Sequence, residues 1–89
     1  MADEKTPPKT PARPAGAEPI RVAILQFPDG YDPIQIRAGE RQHRTPSWIE
    51  IWYEPWHRHH RVRGFDGEGG RLLEEKCYPE SRVAYYVPA

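Results

Sequence analysis

The sequence predicts a mostly β fold: a small antiparallel barrel or curled sheet of five to six short strands, preceded by a disordered N-terminal tail. Apolar and β-branched residues occur in short runs with a period of two, which is typical of half-buried strands. Polar clusters rich in proline and glycine separate these runs and predict turns. The first 19 residues contain five prolines and one large apolar residue, Met1, too little apolar surface to support folding.

The chain is long enough for one small domain. It has 89 residues, and we predict a proline-rich tail over residues 1–19 and a single β domain over residues 20–89. The formal net charge is zero, so charge alone does not indicate a nucleic-acid or anionic-membrane partner. Cys77 is the only cysteine and excludes an intrachain disulfide. With no apolar run typical of a signal peptide or a membrane span, this predicts a cytoplasmic protein that does not bind membranes.

The first predicted hairpin joins Ile20–Phe27 to Pro33–Ala38 across a turn that contains proline and glycine. Both segments are rich in β-branched residues, which favour strands. Placing Ile24 opposite Ile36 would put apolar side chains on a common side. The polar residues that follow, 39–46, predict a loop.

The segment Ser47–Glu54 is the most informative part of the chain. Alternation places Ile51 on one side of a strand and both Trp48 and Trp52 on the other. A helix is the alternative, because the tryptophans recur every four residues. Pro55 would cut such a helix short, and the β-branched and aromatic content favours a strand.

The next strand, His57–Phe65, is predicted to pair with Ser47–Glu54, and Val62 is its clearest core residue. A four-residue loop over residues 55–58 then sets the register. It places Ile51 opposite Val62, Trp52 opposite Arg61, Glu50 opposite Arg63, and Trp48 opposite Phe65. Every pair in this register is favourable, which supports the hairpin.

Two further segments complete the predicted sheet. Arg71–Tyr78 follows a glycine-rich turn and is compatible with a strand or with a helical turn. Its leucine, glutamate and lysine content favours a helix, whereas its place after a hairpin turn favours a strand. Residues 82–87 alternate again and predict a final strand.

The predicted function is that of a non-catalytic binding module, an accessory or subunit-type protein that docks a protein partner or a second copy of itself. Tryptophan, arginine and other aromatic residues dominate interface hot spots. The candidate partner-binding residues are Trp48, Trp52, Trp56, Arg61, Arg63 and Phe65. We expect Trp48 and Trp52 to be partly exposed in the monomer, unless the C-terminal strand or the 39–46 loop covers them.

A small nucleic-acid-binding β-barrel is the first alternative. Arginines that contact phosphates and aromatics that stack on bases occur together on such surfaces. The candidate residues are Arg37, Arg41, Arg44, Arg58, Arg61 and Arg63. The predicted hairpin weakens this alternative, because Glu50 would neutralise Arg63 and Trp52 would be covered by Arg61.

A metal-binding protein is the second alternative. His57, His59 and His60 cluster in the sequence, and His43 is a further possible ligand. A zinc site needs three or four oriented ligands, and the spacing does not supply them. No cofactor is predicted, and an enzyme is not expected, because the chain carries no catalytic motif and Cys77 is a lone thiol.

Overall fold

The computed structural model describes residues 12–27, 29–42 and 44–89. Its elements are β1 (Glu18–Leu25), β2 (Ile34–Arg37), β3 (Gly39–Glu40), β4 (Trp48–Glu54), β5 (His59–Phe65), β6 (Leu72–Pro79), a 3₁₀ helix (Glu80–Arg82) and β7 (Val83–Pro88). The mostly β prediction is confirmed. No helix within these described ranges is long and apolar enough to cross a membrane.

The strands form one antiparallel sheet that curls without closing. Their order is β2-β1-β4-β5-β6, with β7 added to β1 and β3 added to β4. The first residues of β1, Glu18 and Pro19, pair with β4, while its remainder pairs with β2 and β7. The strands β4, β5 and β6 form an antiparallel meander, and β6 ends the path of paired strands. This open arrangement agrees with the predicted curled sheet.

The central hairpin has the predicted register. Ile51 is opposite Val62, Glu50 is opposite Arg63, Trp52 is opposite Arg61, and Trp48 is opposite Phe65. At the tip, the His57 amide donates to the Glu54 carbonyl at 3.1 Å, and Arg58 has a φ of 53°. Alternation of apolar residues on the two strands was sufficient to fix this pairing, because a one-residue slip would expose the core side of both strands.

The first hairpin differs from the prediction by one residue. Ala23, rather than Ile24, is opposite Ile36, and Ile24 faces Gln35. A bulge in β1 between Ile20 and Val22 interrupts the alternation, so side chains three positions apart, Ile20 and Ala23, both enter the core. A strict period of two across β1 could not reveal that bulge.

Two boundaries differ from the prediction, and one segment that the sequence left open is resolved. Residues 39–40, expected in a loop, form β3 on the edge of β4. The ambiguous segment 71–78 is the strand β6. The fold also begins before Ile20: β1 starts at Glu18, and Ala17 is buried, with its amide donating to Pro14 at 3.2 Å. Residues 1–11 of the predicted tail lie outside the described residues.

The core lies between the β2-β1-β7 part of the sheet and the β4-β5-β6 meander. Its buried cluster consists of Ile20, Ala23, Leu25, Ile36, Ile49, Ile51 and Val62. On β5, Gly64 allows Pro46 to pack closely, because a β-carbon at that position would clash with the Pro46 ring. Pro46 is thereby held against β5, close to the start of β4.

Truncating the core at Ile51 should be costly. Ile51 is 4% exposed, and we expect Ile51→Ala to lower the free energy of unfolding by about 2–5 kcal/mol, through lost burial and the cavity left behind. Ile34, which is 48% exposed, provides the control: Ile34→Ala should change stability by less than about 0.5 kcal/mol. Urea denaturation measures both, and equal effects would contradict this placement of the core.

Candidate functional site

One side of the β4-β5-β6 meander collects most of the chemistry-bearing residues, and we call it the charged face. Residues directly opposite one another in antiparallel strands share a face, so the register defines its members. They are Trp48, Glu50, Trp52 and Glu54 on β4, His59, Arg61, Arg63 and Phe65 on β5, and Leu72, Glu75 and Cys77 on β6.

Glu54 is the centre of the charged face. Its side chain is buried, at 2% exposure. One carboxylate oxygen, Oε2, accepts from Trp52 Nε1 at 2.7 Å and from Arg61 Nε at 2.8 Å. The other, Oε1, lies 2.6 Å from His59 Nε2 and 3.3 Å from Arg61 Nη2. The hydrogen bonds from Arg61, and then those from Trp52 and His59, lower the pKa of Glu54 to about 2 despite its burial.

Glu75 on the neighbouring strand extends this arrangement into a network. Its Oε2 accepts from Arg63 Nε at 2.6 Å, and its Oε1 lies 3.2 Å from Arg61 Nη1. Arg61 therefore bridges the carboxylates of Glu54 and Glu75, and contact with these carboxylates raises its pKa further. The Arg63 guanidinium lies over the Trp52 ring, 4.6 Å from its centroid. Charges of alternating sign thus cross all three strands.

The network corrects the predicted exposure of this face. Trp52 is 2% exposed, Phe65 6% and Arg63 7%, so the expectation that Trp52 is accessible in the monomer is wrong. Arg63 lies two residues along β5 from Arg61, the residue directly opposite Trp52, and it is Arg63 that covers the indole in place of the predicted Arg61. Arg63 pairs with Glu75 rather than with Glu50, because β6 brings a second carboxylate to the face. The double change Trp48→Ala and Trp52→Ala would therefore remove core structure.

The other two tryptophans remain accessible. Trp48 is half-buried at the start of β4, and Trp56 is 50% exposed at the β4–β5 tip. A β-carbon built on Gly16 would lie 3.5 Å from the Trp56 ring, so the segment before β1 runs beside this indole. The predicted tryptophan face is thus divided into one buried and two accessible positions.

A cleft of about 740 Å³ opens beside Trp48. Its apolar lining includes Pro19, Trp48, Phe65 and Leu72, and its charged lining includes Arg13, Glu50 and Arg71. The apolar residues are buried or half-buried, whereas the three charged residues are exposed. The cleft therefore has an apolar floor and a rim with charges of both signs.

The histidines do not converge on one point. His57 and His59 lie together at the hairpin tip, with ring centroids 5.0 Å apart, but His59 Nε2 is engaged by Glu54. His60 faces the other side of β5. His43 lies outside the described residues. Among residues 12–27, 29–42 and 44–89, the structure has no group of three metal-ligating side chains, so the metal hypothesis gains no support.

His60 is a buried imidazole packed between two tyrosines. Its ring lies 4.8 Å from that of Tyr53 and 5.1 Å from that of Tyr86, and neither ring nitrogen has a hydrogen-bond partner in the described part of the chain. Burial lowers the pKa of His60, more than the opposing charge of Glu80 raises it. The sequence carried a signal for this placement, because His60 has the same strand parity as the core residue Val62. The metal hypothesis, which grouped His60 with His57 and His59, did not take that parity into account.

The arginines of the nucleic-acid hypothesis are dispersed. Arg61 and Arg63 are held by the carboxylates of the charged face. Arg41 and Arg44 precede β4, whereas Arg58 follows it at the hairpin tip, so they lie at opposite ends of that strand. Arg37, on β2, belongs to the other part of the sheet. These six side chains do not share a single strand face.

Comparison of the chain with protein-family models, curated proteins and solved structures found no match. The function must therefore be inferred from the described side chains and their geometry. On the charged face, Glu54 and Glu75 are held as ion-paired carboxylates, which makes Glu54, with its pKa of about 2, a poor proton acceptor near neutral pH.

The Glu54 network should be essential for stability. We expect Glu54→Gln to lower the free energy of unfolding by about 3–5 kcal/mol, because Arg61 and His59 would lose their shared buried carboxylate. The matched control is Glu50→Gln, an exposed position on the same face of the same strand, with an effect below about 0.5 kcal/mol.

Because the pKa of Glu54 falls on folding, the contribution of Glu54 to stability is present above pH 4.5 and disappears as the pH drops towards 2. Urea titrations across this range should show that loss in the wild type and not in Glu54→Gln.

The buried imidazole should give a separate pH dependence. The pKa of His60 is lowered from 6.5 in the folded state, so the unfolded chain binds the proton more tightly. Stability should therefore decrease as the pH falls below 6.5. His60→Phe, which keeps a ring between Tyr53 and Tyr86, should remove this decrease, while His57→Phe at the exposed tip should retain it. Thermal midpoints measured from neutral to mildly acidic pH would test whether His60 causes this decrease. If the midpoint of His60→Phe fell with pH as steeply as that of the wild type, His60 would not be its cause.

Proposed function

We propose that the chain is a non-catalytic protein-binding module that docks a peptide segment of a partner protein in the cleft beside Trp48. The observation that carries this proposal is the half-buried indole of Trp48 on the floor of a cleft of about 740 Å³. A large aromatic side chain contributes much apolar surface on burial and is a frequent interface hot spot. Its partial exposure leaves that contribution for a ligand.

The composition of the cleft supports a peptide ligand. Trp48, Phe65 and Leu72 provide apolar surface, and the exposed charges of Glu50 and Arg71 stand at the rim. An apolar centre with a polar rim is the usual anatomy of a protein–protein contact. Rim charges of both signs favour a polypeptide over a polyanion, which a uniformly basic surface would attract.

The charged face gives the cleft a rigid base. Trp52 is fixed from one side by its hydrogen bond to Glu54 and from the other by the Arg63 guanidinium. Trp48 lies four positions earlier on the same face of β4, with Glu50 between the two indoles. A preorganised surface loses less conformational entropy on binding, so more of the contact energy appears as affinity.

The nucleic-acid alternative is less well supported by the same observations. Its two central arginines, Arg61 and Arg63, already contact Glu54 and Glu75. Transfer of the Arg61 guanidinium to a phosphate would leave the buried carboxylate of Glu54 without its guanidinium partner, which is costly. The protein-binding hypothesis requires no such exchange.

A displayed library of random peptides panned on the full chain would test the proposal. We expect enriched peptides whose binding is weakened at least about 30-fold by Trp48→Ala, the effect of removing a hot-spot aromatic. Trp56→Ala is the matched control, because Trp56 is exposed at the far end of β4, and it should leave affinity within about threefold. Circular dichroism should show both variants folded.

The site of binding gives a second readout. Amide chemical shifts perturbed by an enriched peptide should centre on residues 48–50, 65 and 69–72, which line the cleft. Perturbations confined to the hairpin tip, or equal loss of affinity in both tryptophan variants, would overturn the proposal. Failure to enrich any peptide would also count against it.

A further inference from the structure

The strand β6 (Leu72–Pro79) is the longest edge of the sheet. It pairs with β5 on one side, and the path of strands through the described residues ends with it. Most of its side chains are exposed. An edge of eight residues presents a row of main-chain donors and acceptors that can pair with another strand. The question is which strand its side chains would accept.

The charges on the two sides of Glu75 along β6 have opposite signs. Glu74 and Lys76 flank it, and both are exposed. They also have the same parity, since Glu74 is opposite Gly64 and Lys76 is opposite Val62 on β5. An acidic and a basic side chain therefore stand on one face of the edge, one on each side of a central residue. A strand with the same sequence, running antiparallel, would complement it.

Strand geometry allows few registers for such a self-pairing. Two identical antiparallel strands are related by a two-fold axis perpendicular to the sheet, so each copy keeps the same face on the same side. Because directly opposed residues share a face, the axis must pass through a residue that faces its own copy. Registers that oppose residues of different parity, such as Glu75 with Lys76, are excluded.

The three registers with their axis near the middle of β6 differ in their charges. An axis at Glu74 would oppose two Glu74 carboxylates, and an axis at Lys76 would oppose two ammonium groups. An axis at Glu75 places each Glu74 opposite the Lys76 of the other copy and so forms two favourable pairs. Opposite charges across strands are stabilising and like charges are destabilising. The central register is therefore the one that the charges favour.

The Glu75 carboxylates at the axis are already compensated within each chain. Each accepts a hydrogen bond from Arg63 Nε at 2.6 Å and forms an ion pair with Arg61 Nη1 at 3.2 Å. Two such carboxylates would meet together with four guanidinium groups, two from each chain. Their direct repulsion is thereby reduced, and the charged face would continue from one copy to the next.

The other long edge lacks this specification. The strand β7 (Val83–Pro88) pairs with β1 alone among the described strands, and its residues are uncharged. Its Tyr85 and Tyr86 are exposed, but an uncharged edge does not discriminate one register from another. On β6, by contrast, the charges favour one of the three central alignments over the other two.

We propose that two copies of the chain dimerise edge to edge through β6, with Glu75 at the two-fold axis and Glu74 of each copy paired with Lys76 of the other. This surface meets the Trp48 cleft only at Leu72, the first residue of β6. The two meanders would join into one continuous antiparallel sheet of six strands, with β6 and its copy in the middle. Since the selecting ion pairs are exposed, the dimer should weaken as salt concentration rises.

Charge reversal in the full chain tests the register. Sedimentation velocity over a wide concentration range should show a dimer for the wild type. Glu74→Lys and Lys76→Glu should each raise the dissociation constant at least about tenfold, because each replaces two attractions with two repulsions. An equimolar mixture of the two variants should form a heterodimer, since each lysine would again oppose a glutamate. The chain with both changes should recover the homodimer.

Both residues are exposed, so thermal midpoints near that of the wild type should confirm that the variants fold. A wild-type chain that stays monomeric at all concentrations would overturn the proposal. So would a dimer that tolerates both single reversals, or one that disappears on reduction, since the latter indicates a Cys77–Cys77 disulfide in a different register. Peptide binding at the Trp48 cleft is measured separately, and its presence or absence would not alter these outcomes.

Discussion

The buried carboxylate of Glu54 is the interaction on which the charged face depends. A carboxylate removed from water is stable only when its oxygens are fully engaged, and here an indole, an imidazole and a guanidinium supply the donors. These donors come from two strands, so the ion fixes both the pairing of the hairpin and the rotamers of its side chains. Arg61 in turn contacts Glu75 on the third strand, β6, and Trp52 lies under the Arg63 guanidinium, which pairs with the same carboxylate.

The same constraint explains how polar and apolar residues share one small domain. The meander buries Ile49, Ile51 and Val62 on one side and a charge network on the other. A thin sheet with a small core has a small margin of stability, so the buried polar groups on the network side must all be paired. The alternating charges pair them. Trp48 lies at the margin of the network, beside the cleft.

The two proposed surfaces follow from what the network covers and what it leaves open. Trp52, Arg61 and Arg63, whose residue types are the most typical of an interface, form contacts within the network and are therefore less available to a partner. The network leaves accessible an indole at the start of β4 and the outer edge of β6. Both proposed surfaces therefore lie at the margins of the sheet face, and the charge network lies between them.

The sequence by itself determined the strands β4 and β5 and their register. Local alternation and a short loop fix that hairpin, because each residue has one face and one partner. It did not determine the bulge in β1, the strand character of β6 or the burial of Trp52. Those features depend on residues far apart in the chain. The strand β6 places Glu75 beside Arg63, so Arg63 pairs with Glu75 instead of Glu50, and its guanidinium covers Trp52. Alternation shows which side of a strand a residue occupies, but only the tertiary structure decides what lies over that side.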